Sequence, residues 1–136
     1  MCIRDSYKPD LIKAFTDGWR YGSAPDNTSM NEDTLAALVA AAHKSGLKVF
    51  THTVTQDRGT LAARAHVDVL THSLQDRDLD QASIAAIKAA GTACTPTLAV
   101  YEPEKAGRPL DHSDPKVQAG LARFDHALHN LSLIHI

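Results

Sequence analysis

Length, composition and charge exclude several classes of protein. The chain has 136 residues, of which 43% are apolar, so it is long enough for one globular domain with a core. A formal net charge of −2 gives no electrostatic reason to expect nucleic acid or a membrane surface as partner. No apolar run approaches the roughly 18 residues that a membrane helix needs, and Cys2 and Cys94 form no disulfide or zinc-ribbon spacing.

The first part of the chain reads as a strand followed by a helix. Leu11–Phe15 is short and apolar and lies between turn-forming residues, which predicts a strand. A serine followed three residues later by a glutamate, Ser29 and Glu32, fits a capping box. We therefore expect a helix from about Met30, which Gly46 should end.

The remainder of the chain repeats this alternation. Strand-like runs are found at 47–53, 67–71 and 92–98, and helices are predicted at 60–65, 81–90 and 116–130. Strands that alternate with helices at this pitch predict βαβ units and a parallel sheet. The expected fold class is therefore α/β.

Three of the predicted strands carry a nitrogen-bearing side chain, namely Lys13, His52 and His72. In parallel α/β folds, ligands bind at the carboxyl edge of the strands, where these side chains should meet. Neutral imidazole is a common ligand for zinc, and two imidazoles from neighbouring strands can share one ion. Lys13, by contrast, would repel a cation while it is protonated, unless it is modified or its pKa is strongly shifted.

Each candidate also has a purely structural interpretation. A single histidine at a strand end is more often a hydrogen-bonded core residue than a ligand, and a lysine within a strand is normally an edge residue with its amine in water. Asp17, Trp19 and Tyr101 flank the strand ends. They are candidates for lining a substrate pocket, and equally they could be ordinary loop residues.

The order of several short segments resembles one enzyme family. These segments are Asp10-Leu11-Ile12-Lys13, Thr51-His52-Thr53, Val67-Asp68-Val69-Leu70-Thr71-His72 and Thr95-Pro96-Thr97-Leu98. Together, between about residues 7 and 101, they resemble the central barrel of the amidohydrolase superfamily, in particular its imidazolonepropionase-related and prolidase-like metal-dependent hydrolases. The resemblance implies a partial (β/α)8 TIM barrel, approximately strands 4–7 with their helices. His66 departs from the pattern, because a glycine is usual at that position.

The resemblance also implies a reaction and roles for individual residues. The lysine on the fourth barrel strand of these enzymes is often carboxylated and bridges two metal ions, so Lys13 would be that bridge. His52 and His72 would bind the second metal of a binuclear site, with zinc as the expected divalent ion. The implied reaction is hydrolysis of a C–N bond in a small amide, peptide or cyclic-amide substrate by metal-activated water.

Some ligands that the family requires are not found in this sequence. The His-x-His pair of the first strand and the aspartate of the eighth strand, which is the general base, would lie outside both ends. We therefore expect a fragment: a partial barrel domain at 7–130, with residues 1–6 and 131–136 as a non-native leader and tail that resemble translated sequencing-adapter sequence. The alternative is a truncated, catalytically inactive α/β fragment with no independent function. Oligomeric state and compartment stay open, with the cytoplasm preferred.

Overall fold

The computed structural model describes residues 8–17, 29–98 and 110–134, within which four strands alternate with four helices. The strands are Leu11–Phe15 (β1), Lys48–His52 (β2), Val69–Thr71 (β3) and Ala93–Thr95 (β4). The helices are Glu32–Lys44 (α1), Gln56–Arg64 (α2), Gln81–Ala90 (α3) and Pro115–Ile134 (α4). The predicted α/β class is confirmed. None of the described helices is both long and apolar enough to cross a membrane.

All four strands run parallel in one sheet, in the order β1-β2-β3-β4. Each strand therefore lies beside its successor in the chain, and in the described part of each connection one helix lies between the two strands. A doubly wound sheet would reverse its strand order at a switch point, whereas strands that follow one another in a single direction form the arc of a (β/α)8 barrel. The predicted parallel arc is what the described residues form.

The two faces of the sheet differ in their surroundings. Val49 and Leu70 point towards the helices and are buried in one continuous core. On the opposite face, the side chains of Leu11 and Phe15 remain 39% and 47% exposed. Because parallel sheets are normally covered on both faces, this second face corresponds to the interior of a barrel.

Two helix boundaries show how capping decides where a helix begins. α3 runs as predicted: Asp80 caps its first turn and Gly91, with a φ of 66°, ends it. α1 begins later than expected, because the side chain of Asn31, and not that of Ser29, accepts the hydrogen bond from the Thr34 amide at 2.8 Å. The predicted capping box is therefore wrong. The Ser29 hydroxyl is buried without a partner among the described residues.

The other differences lie at the ends of elements. α2 begins at Gln56, four residues before the predicted start, and the strands β2, β3 and β4 are shorter than the apolar runs that predicted them. α4 continues past the predicted end at residue 130 to Ile134, whose side chain is buried in the core. Packing says nothing about the origin of residues 131–136, so their assignment as a non-native tail stays a prediction.

His66 occupies a backbone conformation that favours glycine. It lies in the turn between α2 and β3 with a φ of 59°, and its side chain is exposed. A β-carbon in this left-handed region is unfavourable by about 1–2 kcal/mol, which the extra freedom of glycine in the unfolded chain partly offsets. We expect His66→Gly to raise the free energy of unfolding by about 0.5–1 kcal/mol, measured by urea denaturation. The opposite change, Gly46→Ala, should lower the free energy of unfolding, because Gly46 has a φ of 71° and no atom lies within 4 Å of the position of its β-carbon. Equal stability of His66→Gly and the parent would contradict the prediction.

Candidate functional site

The side chains of Lys13, His52 and His72 come together at the carboxyl edge of the open face. Lys13 lies two residues before Phe15, the register partner of His52, so both side chains project from the same face. The rings of His52 and His72 meet edge to face, with their centroids 4.8 Å apart. Phe15 lies beside His52 and Lys13. The centroid of its ring is 5.2 Å from the centroid of the His52 ring and 5.7 Å from Lys13 Nζ. Their role as metal ligands stays a prediction.

An uncommon backbone conformation brings the His72 ring to this place. Thr71 is the register partner of His52, so regular alternation would put His72 on the helix-covered face. The φ of His72 is instead 82°, a value that few residues other than glycine adopt. Its amide donates to the Thr95 carbonyl at 2.9 Å, and its Nδ1 is bonded to Thr97 Oγ1 at 2.7 Å. Because Nδ1 is engaged by Thr97, Nε2 is the ring nitrogen of His72 that could bind a metal ion.

Thr97 is a site residue that the sequence did not single out. Its hydroxyl fixes the ring of His72 through Nδ1, which is the role that outer partners of metal-binding histidines usually have. Thr97 itself has a φ of 48°. Thr97 lies in one of the segments that resemble the amidohydrolase barrel, and this was the only feature of the sequence that could have indicated it as a site residue. The contact nevertheless depends on two left-handed backbone conformations, which no residue pattern predicts.

The electrostatic surroundings favour neutral imidazoles. Burial, and then the positive charge of Lys13, lower the pKa of His52. Burial again comes first for His72, and the charges of His52 and Lys13 lower its pKa further. Because only neutral imidazole has a lone pair for a cation, both shifts favour the form that binds metal. Partial burial likewise lowers the pKa of Lys13.

A divalent metal fits part of this donor set. Zinc–nitrogen distances of about 2.0–2.1 Å with tetrahedral angles place two imidazole centroids about 5 Å apart, close to the 4.8 Å between His52 and His72. Lys13 lacks a lone pair until it is deprotonated or carboxylated. Within the described ranges, no group of three or more His, Cys, Asp or Glu side chains could hold an ion. In a tetrahedral site the two histidines would supply two of the four ligands, and this role stays a prediction.

The Asp17 carboxylate lies just outside this group and is 3% exposed. It accepts hydrogen bonds from the Val54 amide, from Thr55 Oγ1 at 3.0 Å and from Thr53 Oγ1 at 3.4 Å. Burial raises the pKa of Asp17, while these hydrogen bonds act in the opposite direction. Asp17 therefore fastens the end of β1 to the segment that follows His52.

The remaining candidates cannot be placed in the same way. Trp19 and Tyr101 lie outside the described residues. The involvement of Asp17, Trp19 and Tyr101 in substrate binding therefore stays a prediction. For Asp17, the observed contacts provide a role within the fold.

Solved structures resemble this chain over nearly all of its length. An uncharacterized protein matches 96% of the chain with a TM-score of 0.68 and 22% identity, over 32% of its own length. An amidohydrolase matches 92% of it with a TM-score of 0.63 and 25% identity, over 30% of its own length. A Xaa-Pro dipeptidase with bound methionine in its active site matches 96% of it with a TM-score of 0.63 and 20% identity, over 32% of its own length.

These matches show the fold of the chain and do not show which reaction it catalyses. No protein-family model and no curated protein matches the sequence. The chain spans about a third of the length of the solved structures that it matches, which is consistent with a partial (β/α)8 barrel. The resemblance to amidohydrolase- and prolidase-type proteins is thus confirmed at the level of structure, and two of the neighbours are named as hydrolases.

Proposed function

We propose that this chain is part of the catalytic barrel of a metal-dependent hydrolase that cleaves a C–N bond in an amide, peptide or cyclic-amide substrate. The observation that carries the proposal is the 4.8 Å approach of the His52 and His72 rings at the carboxyl edge of the sheet. In (β/α)8 barrels, reactions take place at this edge. The amidohydrolase and the Xaa-Pro dipeptidase among the structural neighbours support the choice of C–N hydrolysis.

Each side chain has a specific task in this proposal. His52 and His72 bind the ion through neutral imidazole, and Thr97 keeps the His72 ring oriented through its Nδ1. A bound divalent ion, zinc by the preference of these ligands, supplies Lewis acidity and lowers the pKa of water. Lys13 contributes after its neutral amine adds carbon dioxide and loses a proton, because the resulting carbamate carries negative oxygens. Partial burial lowers the pKa of Lys13 and so raises the fraction of neutral amine.

A second candidate is that the 136-residue chain binds metal weakly or not at all and is catalytically inactive. The number of donors favours it, because the described residues offer two imidazoles and one lysine where a binuclear centre needs more ligands. Under this alternative, the barrel ancestry still explains the positions of the three side chains. The two candidates differ in what the isolated chain does.

Metal titration of the purified chain separates the candidates. We expect one equivalent of Zn²⁺ to bind, measured by calorimetry and by the absorption of a Co²⁺ substitute. Removal of a direct ligand in His52→Ala or His72→Ala should weaken binding by at least about 100-fold, beyond the 10–100-fold typical of outer partners. His129→Ala, on an exposed part of α4, is the matched control and should bind as the parent does.

An amidase and dipeptidase assay on the same samples completes the test. Bound metal with turnover supports the hydrolase proposal for this chain. Bound metal without turnover supports a metal site in an inactive chain. Failure of the parent chain to bind Zn²⁺ or Co²⁺ at millimolar concentration would contradict the metal site.

A further inference from the structure

Leu74 lies two residues after His72 and is held by two elements that are distant in sequence. Its side chain is 1% exposed. Its carbonyl accepts a hydrogen bond from Asn130 Nδ2 of α4 at 3.0 Å. Its two terminal methyl groups pack over Gly59 of α2 so closely that a β-carbon at residue 59 would lie 2.6 and 2.8 Å from them. Leu74 is therefore fixed through both its backbone and its side chain.

Asn130 uses its whole amide to hold the loop between β3 and α3. It is 1% exposed, and besides the Leu74 carbonyl its Nδ2 donates to the Arg77 carbonyl at 2.7 Å. Its Oδ1 accepts from the Leu79 amide at 2.8 Å. An aspartate at residue 130 could accept from Leu79 but could not donate to either carbonyl. The amide is thus the group that this loop requires.

Gly59 is the complementary contact on α2. A glycine within a helix costs about 1 kcal/mol relative to alanine, so a buried helical glycine needs a reason in packing. That reason here is Leu74, because with the Leu74 side chain in its present position a β-carbon would lie too close to it, so that Leu74 would have to move. Glycine lowers the intrinsic stability of α2, but it allows the Leu74 side chain to pack directly against the helix backbone.

The position of Leu74 determines how the chain leaves His72. Only Ser73 separates the two residues, and the φ of 82° at His72 persists only while the surrounding structure holds it. On the side of β4, the Thr95 carbonyl and Thr97 hold His72. On the other side, Ser73 is buried and its hydroxyl donates to the Pro96 carbonyl at 3.4 Å, and Leu74 is the next anchored residue. Because Ser73 contributes one weak contact of this kind and Leu74 is held through both its backbone and its side chain, we expect a displacement of Leu74 to rotate the His72 backbone and move its ring away from His52.

We propose that Asn130 and Gly59 are positioning residues for His72, acting through the backbone and the side chain of Leu74. The importance of this position for catalysis rests on the proposed role of His72 as a metal ligand. The arrangement of the His52 and His72 rings, however, can be measured without any metal. The positioning effect and the metal site can therefore fail separately.

The experiment uses the full 136-residue chain labelled with ¹⁵N and ¹³C at histidine. We expect Asn130→Asp and Gly59→Ala to shift the ring resonances of His72 by several tenths of a ppm in the metal-free chain, and to leave those of His43, which is bonded to Asp68 at the opposite edge of the sheet, unchanged. Loss of a signal in His72→Ala identifies the His72 resonances. Zn²⁺ affinity should fall by about 10–100-fold in both variants, the range for groups that orient a ligand.

Matched controls separate positioning from general loss of stability. Gly120→Ala, a helical glycine with nothing near its β-carbon, controls for the change of Gly59. Ile134→Val removes buried volume from α4 without touching the amide of Asn130. Both controls should leave the His72 resonances and Zn²⁺ affinity as in the parent.

A compensating pair of substitutions keeps the test independent of folding yield. Shortening Leu74 in the Gly59→Ala, Leu74→Val double variant makes room for the new β-carbon and should return the His72 resonances towards those of the parent. Should Asn130→Asp fail to fold by circular dichroism, Gly59→Ala and this double variant carry the test. Unshifted His72 resonances in a folded Gly59→Ala or Asn130→Asp chain would overturn the proposal. Absence of Zn²⁺ binding to the parent would count only against the metal site.

Discussion

Replacing Asp17 by alanine is expected to lower the free energy of unfolding by about 3 kcal/mol. The substitution removes the acceptor of three hydrogen bonds, from the Val54 amide and from the hydroxyls of Thr53 and Thr55. Hydrogen bonds to a charged group each contribute about 1.5–3 kcal/mol, and a buried amide left without an acceptor costs about 1–3 kcal/mol. Burial of the ionised carboxylate, which raises the pKa of Asp17, offsets part of this sum. Urea denaturation followed by circular dichroism measures the difference.

Asp17→Asn is the matched control. The asparagine carbonyl can accept from the Val54 amide, and its amino group can donate to the two threonine hydroxyls, so most of the network can re-form without a buried charge. We expect this variant to lose about 1 kcal/mol or less. If Asp17→Ala were as stable as the parent, the fold would not depend on this carboxylate. A change in substrate affinity with unchanged stability would then favour the predicted role in substrate binding.

Much of the fold could be predicted because it follows from patterns within a few residues. The limits of β1 and α3 matched the sequence, since apolar runs bounded by turn residues and a capping aspartate are local features. The start of α1 did not match, because two residues of the capping type, Ser29 and Asn31, lie close together, and the folded chain uses Asn31, which accepts from the Thr34 amide. β3 has only three residues because hydrogen bonding to the neighbouring strands, and not hydrophobicity, defines its length.

The candidate site likewise has features that follow from local sequence patterns and features that depend on the folded chain. The strand pattern predicted that Lys13, His52 and His72 meet at the carboxyl edge of the sheet, and the observed register of β1 and β2 puts Lys13 and His52 on one face of it. The strand pattern contained no signal for the backbone φ of 82° by which the His72 ring reaches His52. The Asn130 contacts join residues 51 to 56 positions apart, a pairing that no local pattern contains. Long-range contacts of this kind were visible only once the chain was folded.

Neutralising Asp68 is expected to have the second large effect on stability, at the opposite edge of the sheet. Its carboxylate, whose side chain is 13% exposed, accepts from Lys48 Nζ at 2.7 Å, from the Val49 amide at 2.8 Å and from His43 Nε2 at 2.8 Å. Burial alone would raise the pKa of Asp68, but the three hydrogen bonds outweigh it and lower the pKa from 3.8 to about 2. At about 1.4 kcal/mol per pKa unit, we expect Asp68→Asn to lower the free energy of unfolding by about 2 kcal/mol at pH 7.

The pH dependence of this loss identifies its origin. The folded pKa of Asp68 lies below its unfolded value of 3.8, so its stabilising contribution is complete above that pH and is lost as the pH falls towards about 2. The difference between parent and Asp68→Asn should therefore be constant from pH 7 to about pH 5 and disappear near pH 2. Denaturant titrations of both chains across this range measure it. A difference that persists unchanged at pH 2 would show that packing, and not the charge, is responsible.

The same variant tests whether stability and ligand binding are separated in this sheet. Asp68 precedes β3 and bonds to residues at the start of β2, whereas His52 and His72 lie at the carboxyl ends of those strands. In (β/α)8 barrels, the amino-terminal edge serves stability and the carboxyl-terminal edge serves function. Zn²⁺ affinity at pH 7 should therefore be the same in folded Asp68→Asn and in the parent chain. A parallel loss of affinity and stability would mean that the two edges are coupled through the strands.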